Sequence, residues 1–270
     1  MILNTIHELC FENNDIYQIE SCGDKIIAND DYYGVRILDL SLNTIKVIPF
    51  MERLVIFSIY KKYDNSAVML YAPEQNSLFF VDLQTFQHFT IKPENHLNDY
   101  FFGRNYYWQN NTLIFTEENK NTFYQINFES STLKKISTKT VKTISPTFFD
   151  FWKTCKKHNA ITIYPNQNSF IFQKNRKLIA FYDYKNKNLI LKKHSPGLFE
   201  EVYYHNGMFI FFDAWNKNIE FKNSNNGFWR AEDPYYCLRI INLDNGNIAM
   251  LFTNKDDHQK CFLQVYELSK

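Results

Sequence analysis

The residues with the most reactive side chains are spread along this sequence without any spacing that builds a catalytic or metal site. The chain contains no G-x-S-x-G nucleophile motif, no H-E-x-x-H zinc motif and no Gly-rich phosphate loop. Its seven histidines are far apart: His7, His88, His96, His158, His194, His205 and His258. Its five cysteines are equally scattered and form no C-x-x-C pair: Cys10, Cys22, Cys155, Cys237 and Cys261. We therefore expect a protein that is not an enzyme, with reduced cysteines, no metal and no cofactor.

The carboxylates point instead to recognition of a basic partner. Five of six predicted loops between apolar strands carry at least one acid. The residues that we predict to bind a partner are seven acids of these loops and three neighbouring aromatic residues: Asp30, Asp31, Tyr32, Tyr33, Glu74, Glu117, Glu118, Trp215, Asp256 and Asp257. Clustered carboxylates speed the capture of a basic protein, and Tyr and Trp are favoured interface anchors. The competing interpretation is that loop tips are usually polar and that Asp forms turns.

A repeated motif indicates how these loops are positioned. Five predicted strands end in an apolar, polar, apolar triplet: Leu38-Asp39-Leu40, Val81-Asp82-Leu83, Ile126-Asn127-Phe128, Tyr182-Asp183-Tyr184 and Tyr266-Glu267-Leu268. A weaker sixth copy is Phe221-Lys222-Asn223. The steps between the middle residues are 43, 45, 56, 39 and 45 residues. A period near 40 to 45 residues is typical of β-propeller blades.

Each copy can be divided into four strands, which we call a to d. In the first copy they are predicted at 15–20, 25–29, 34–40 and 44–48. The b strands are nearly continuous in apolar residues, as expected of strands packed on both faces. The sixth copy ends after strand c at 261–268, so we expect residues 5–11 to supply its outer strand and to pair the two chain ends.

The sequence therefore predicts an all-β protein, a six-bladed β-propeller formed by one domain, residues 1–270, and closed by its N- and C-terminal strands. The alternative is five blades with a long insertion. We predict no helix. The long step of 56 residues arises from 138–159, where lysines accompany Phe149, Phe151 and Trp152. This segment is interpreted as a solvated loop with buried aromatic residues, and the competing interpretation is a nucleic-acid-binding patch.

Composition limits the partner and the location. The chain is 45% hydrophobic, so it can bury a large core, and its net charge is only +1. A dedicated nucleic-acid-binding protein is strongly basic, so we expect no direct contact with nucleic acid. No segment has the composition of a signal peptide or the length of a membrane span, so we expect a cytoplasmic protein with no membrane partner.

The triplets beginning at Leu38 and Val81 resemble those of degenerate WD40-type blades, although the Gly-His and Trp-Asp dipeptides of that repeat are absent. A small, Asn- and Lys-rich propeller without enzymatic residues also resembles the immunity proteins of bacterial contact-dependent growth inhibition systems. That resemblance implies a cognate toxin as partner, a basic ribonuclease domain of the EndoU type. It also implies a steric mechanism, in which the acidic face covers the catalytic cleft of the toxin.

Two other functions remain open at the level of the sequence. One is a general scaffold for protein complexes. The other is a propeller hydrolase or lyase, in which Asp213 with Asp256 or Asp257 would supply paired carboxylates.

Overall fold

The computed structural model describes residues 2–62, 64–93, 106–109, 111–116, 123–157, 162–165, 169–174, 178–183, 188–193, 201–205, 208–213, 218–222 and 227–269. The chain divides into two compact units. Unit 1 contains Met1–Phe89 and Phe199–Lys270, and unit 2 contains Thr90–Leu198. No helix in the described ranges is long and apolar enough to cross a membrane.

The strands form six four-stranded antiparallel sheets, which confirms the all-β prediction. The first nine strands are β1 (Ile2–Glu12), β2 (Ile19–Cys22), β3 (Lys25–Asp30), β4 (Gly34–Asp39), β5 (Thr44–Pro49), β6 (Ser58–Lys61), β7 (Ala67–Ala72), β8 (Ser77–Asp82) and β9 (His88–Ile91). Strands β2 to β5 form one sheet in chain order, and β6 to β9 form the next.

The middle of the chain adds two more sheets, β10 to β13 and β14 to β17, with two helices between them. Their bounds are β10 (Tyr106–Gln109), β11 (Thr112–Thr116), β12 (Phe123–Asn127), β13 (Thr132–Ile136), α1 (Thr138–Ile144), α2 (Pro146–Lys157), β14 (Thr162–Pro165), β15 (Ser169–Lys174), β16 (Leu178–Asp183) and β17 (Asn188–Lys193).

The last seven strands return to unit 1. They are β18 (Glu201–His205), β19 (Met208–Asp213), β20 (Asn218–Lys222), β21 (Gly227–Arg230), β22 (Tyr235–Asn242), β23 (Ile248–Asn254) and β24 (Lys260–Ser269). Strands β18 to β21 form one sheet, and the other has the order β1-β24-β23-β22. The expected pairing of the chain ends is confirmed, because β1 runs antiparallel to β24 from Ile2 opposite Ser269 to Glu12 opposite Lys260.

The sheets of unit 1 share their cores with neighbours. All six residues of β7 and the first six of β23 are buried, as their continuous apolar sequences predict. One buried cluster joins the first sheet to the sheet of the chain ends, with side chains that include Ile26, Leu38, Leu251 and Leu263. A second joins the first sheet to β6–β9, with side chains that include Ile27, Val35, Leu70 and Val81.

The polar residue of the repeated triplet has a local structural role in the turn between strands c and d. The carboxylate of Asp39 accepts hydrogen bonds from the backbone N–H of Ser41 (2.9 Å) and of Asn43 (2.8 Å). Asp82 and Asn127 occupy the same position in the next two copies, and both accept from backbone N–H groups two or three residues later. The repeat therefore reflects capping of a tight turn.

The prediction of a loop without helix at 138–159 is wrong, because α1 and α2 occupy most of it. The side chain of Ser137 caps α1 by accepting from the N–H of Thr140 at 3.1 Å, and a proline begins α2, where its missing N–H costs nothing. Phe148 is buried, and Trp152 one turn later packs against Phe123 with ring centroids 5.0 Å apart. Burial of these aromatic rings stabilises a helix that single-residue propensities do not favour.

Candidate protein-binding surface

Four loops of unit 1 are linked by hydrogen bonds into one surface, which we call the loop surface: 13–18, 30–33, 50–57 and 73–76. They connect β1 to β2, β3 to β4, β5 to β6 and β7 to β8. The predicted first strand, 15–20, is therefore wrong in its first part, because β2 begins at Ile19. Residues 13–18 belong to this surface instead.

A buried amide holds the first two loops together. The side-chain oxygen of Asn29 accepts from the backbone N–H groups of Tyr17 and Gln18, both at 2.8 Å. Its nitrogen donates to the backbone carbonyls of Asp15 (2.7 Å) and Asp31 (3.0 Å). Asn29 has no exposed area, so these four bonds form out of contact with water. One backbone bond remains here, from the N–H of Asn29 to the carbonyl of Gln18 at 3.1 Å. The Asn29 side chain makes the other bonds in place of strand pairing, so residues 15–18 do not continue β2.

The third loop is attached to the turn after β3 through backbone atoms. The carbonyl of Tyr33 accepts from the N–H groups of Phe50 (2.8 Å) and Met51 (3.2 Å), and that of Tyr32 accepts from Leu54 (2.7 Å). The phenol of Tyr17 accepts from the N–H of Ile56 at 3.0 Å. Loops 13–18, 30–33 and 50–57 are thus fixed relative to one another.

The fourth loop is joined to the third by Gln75. Its side-chain nitrogen donates to the carbonyl of Arg53 at 2.7 Å, and its oxygen accepts from the N–H of Val55 at 3.3 Å. The neighbouring Glu74 is exposed. Since Gln75 is fixed to the third loop, the turn that carries Glu74 belongs to the same surface.

Large apolar side chains are exposed on this surface. Tyr33 is 51% exposed, Phe57 48%, Met51 42% and Tyr32 39%. Loop backbones hydrogen-bonded to one another carry all four. Aromatic and Met side chains are enriched in protein interfaces, and their exposure in a group marks an interaction site.

Carboxylates lie among these apolar residues. The phenol of Tyr32 donates to a carboxylate oxygen of Asp15 at 2.7 Å, and this hydrogen bond raises the pKa of Tyr32. Burial raises the pKa of Tyr17 to about 12, with further increases from the charges of Asp15, Asp31 and Glu74. The charges of three acids therefore act on this one half-buried phenol, and two of them, Asp31 and Glu74, are among the predicted partner-binding residues.

Asp30 has a second role that the sequence did not indicate. Its carboxylate accepts from the guanidinium of Arg36 at 2.7 Å and from the side-chain amide of Asn14 at 2.9 Å. Both partners hold the loop in place, so Asp30 supports the surface from below while Asp31, Tyr32 and Tyr33 form its outer part.

Asp256 and Asp257 lie in the loop between β23 and β24, at the end of the sheet from which residues 13–18 depart. In β24, the thiol of Cys261 donates to the carbonyl of Asn14 at 3.2 Å, which connects that sheet to the loop surface. Asp256 is exposed, whereas Asp257 forms an ion pair with Lys260 at 3.2 Å. The two acids thus lie at the border of the loop surface and not in its centre.

The remaining predicted residues, Glu117, Glu118 and Trp215, lie outside the described residues. In the other direction, Asp15, Met51 and Phe57 belong to the surface but were not among the predicted partner-binding residues. They lie in the connections from strand d to the next strand a, and the predicted residues came only from the connections between strands b and c. The apolar residues in the short segment 50–57 were the feature of the sequence that could have indicated this part of the surface.

Among the residues that the structure describes, no three His, Cys, Asp or Glu side chains are grouped so that they could hold a metal ion. Comparison with known proteins finds no protein-family model that matches the chain and no match among curated proteins. The loop surface is therefore interpreted from its own chemistry.

Proposed function

We propose that this protein is a binding protein that captures a basic protein partner on the loop surface. The observation that supports this most is the exposure of Tyr32, Tyr33, Met51 and Phe57 on loops that also carry Asp15, Asp31 and Glu74. Apolar anchors supply affinity when water is excluded from them, and the acids supply attraction and orientation for a basic surface.

The partner that we propose is a nuclease toxin of a bacterial contact-dependent growth inhibition system. A nuclease active site is basic because it binds phosphates, so it is complementary to an acidic surface with apolar anchors. Binding there would exclude RNA by steric blockage and would need no catalytic group on this chain. The proposal rests on that complementarity and on the resemblance of the sequence to such immunity proteins.

We further infer that the six sheets are the blades of a single propeller. Five consecutive four-stranded meanders, and a sixth sheet that the pairing of β1 with β24 completes, support this arrangement. In a propeller the connections between strands b and c share one face with those from strand d to strand a, and the loop surface is made of these two kinds of connection.

The proposal is tested by co-expression with the product of the neighbouring gene, scoring survival of the cells and co-purification of the pair. Survival that depends on this protein, together with a stable complex, is the expected result. A toxic neighbour that this protein neither binds nor neutralises would overturn the toxin proposal.

Matched variants test the surface. We expect Tyr33→Ala/Phe57→Ala to weaken the complex by about 30-fold or more, since truncating an interface anchor costs about 1–2 kcal/mol or more and each 1.4 kcal/mol is tenfold. The control is Ile45→Ala/Val47→Ala, which removes two apolar side chains of β5 that are 43% and 37% exposed. Equal affinities for the two double variants, measured by calorimetry, would place the interface elsewhere.

A further inference from the structure

The two units differ sharply in charge although the whole chain is nearly neutral. Unit 1 contains 13 Lys and Arg and 22 Asp and Glu, a formal charge of −9. Unit 2 contains 17 Lys and Arg and only 7 Asp and Glu, a formal charge of +10. The total of +1 therefore conceals a strongly basic unit of about a hundred residues. Such asymmetry between parts of a chain is a signature of interaction with a polyanion.

Part of this charge lies on the continuous segment from β13 to α2. Lys134 and Lys135 are exposed on β13, Lys139 and Lys142 on α1, and Lys153 on α2. We call these five lysines the basic surface. None of them forms an ion pair with a carboxylate of the described residues. Their charges are therefore available to an external anion.

The helix periodicity directs two of these lysines to the same side. Lys139 and Lys142 are three residues apart and so are neighbours on the helix surface. The buried residue between them, Val141, marks the opposite, inward side of α1. The hydroxyl groups of α1 are used within the protein: Thr143 donates to the carbonyl of Lys139 at 3.1 Å, and Thr140 shares a hydrogen bond of 2.8 Å with Ser137.

We infer that the basic surface binds the phosphodiester backbone of a nucleic acid. Lysines are usual partners of phosphate oxygens, and a polymer of phosphates engages several separated lysines at once. A membrane surface fits less well, because an interfacial helix inserts a whole apolar face. In α1 only Ile144 is an exposed apolar residue, at 37%, whereas Val141 and, in α2, Phe148 are buried inside the protein.

Phe148 and Trp152 of α2 do not stack on bases in this inference. Phe148 stacks on Tyr107, with ring centroids 5.8 Å apart, and Trp152 packs on Phe123. Binding through phosphates without base stacking carries no sequence preference. The expectation that the protein avoids nucleic acid rested on its total charge, and the separation of charge between the units removes that reason.

The test uses the full chain and fluorescein-labelled 20-nucleotide strands of one mixed sequence, as RNA and as DNA, in fluorescence anisotropy titrations from 50 to 200 mM salt. We expect binding of one or both strands at 50 mM salt, weakening as salt rises. Binding of both indicates recognition of the shared backbone, and binding of RNA alone indicates an added contact to the 2′-hydroxyl.

Variants locate the site. We expect Lys139→Gln/Lys142→Gln to weaken binding by about tenfold at 50 mM salt and to reduce the slope of log K against log salt by about 1, since each phosphate contact to a single strand contributes about 0.7. The control is Lys46→Gln/Lys260→Gln, which removes two exposed lysines of unit 1. Far-UV circular dichroism checks that the helices persist in both.

Three results would overturn the inference. They are absence of binding at 50 mM salt, equal loss in the two double variants, and equally tight binding of polyglutamate, which would show a response to negative charge in general. None of these results bears on capture of a protein partner by the loop surface, so the two proposals succeed or fail separately.

Discussion

At the scale of single residues, the loop surface depends on Asn29, whose side-chain amide hydrogen-bonds to backbone groups of two loops. Its side-chain oxygen accepts two hydrogen bonds and its side-chain nitrogen donates two. All four partners are backbone groups, which belong to residues 15–18 and 31. An aspartate in the same place could accept but not donate, and a leucine could do neither. Asparagine is thus required here because one side chain must pair with both backbone N–H donors and backbone carbonyl acceptors.

We expect Asn29→Ala to lower the free energy of unfolding by about 2–4 kcal/mol, because two backbone N–H groups and two carbonyls lose a partner away from water. Urea unfolding followed by circular dichroism measures the change. Asn43→Ala is the control, since Asn43 is exposed and its side chain makes a hydrogen bond only to Asp39 at 2.9 Å. Similar losses for the two variants would show that Asn29 is not an anchor.

At the scale of elements, the strands were predictable and the helices were not. The continuous apolar runs of β7 and β23 indicated buried strands, because a short apolar run bounded by turn residues is typical of a strand packed on both faces. The helices α1 and α2 have β-branched and aromatic residues at many positions, so local propensity gave no signal, and tertiary contacts of Phe148 and Trp152 decide the outcome.

The candidate site was predictable in part for a related reason. Loops between strands b and c are short turns whose acids and tyrosines stand out in the sequence, so Asp31 and Tyr33 were found. The contribution of Asp15 was hidden because residues 15–18 have the composition of a strand start. Only the position of Asn29 next to them, a long-range contact in three dimensions, converts that segment into a loop.

The turn after the repeated triplet makes stability depend on pH. Hydrogen bonds from the side chain and backbone of Asn43, and from the backbone of Ser41, lower the pKa of Asp39 in the folded protein. A carboxyl whose pKa is lower in the folded state stabilises the fold above its unfolded pKa, about 3.9, and this contribution is lost as pH falls through the folded value.

We therefore expect Asp39→Asn to lower the urea midpoint at pH 7 and the difference from the unmodified protein to shrink steadily below about pH 4. The control is Glu267→Gln, an exposed carboxylate in β24 with the same change of charge. A difference for Asp39→Asn that stays constant between pH 7 and pH 3 would contradict the role of the ionised carboxylate in the turn.

At the scale of the whole molecule, the separation of charge between the units accounts for two surfaces of opposite character on one chain. In the two proposals, the negative charge of unit 1 attracts a basic protein to Asp31 and Glu74, and the positive charge of unit 2 attracts phosphates to Lys139 and Lys142. Near-neutral total charge is then the sum of two specialised parts. Total charge is a poor guide to partners in such a protein, because screening limits each field to about 8–10 Å at physiological salt.

If the two charged surfaces act independently, a variant in one surface should change the affinity for only one of the two ligands. Asp31→Asn/Glu74→Gln is expected to weaken capture of the protein partner by about tenfold, mainly through a slower association rate, and to leave affinity for the oligonucleotide within about twofold at 150 mM salt. Lys139→Gln/Lys142→Gln is expected to do the reverse. Surface plasmon resonance with each ligand immobilised in turn measures both rates. If the acidic variant instead loses both ligands equally, the two binding surfaces do not act independently, and a single site would have to explain both kinds of partner.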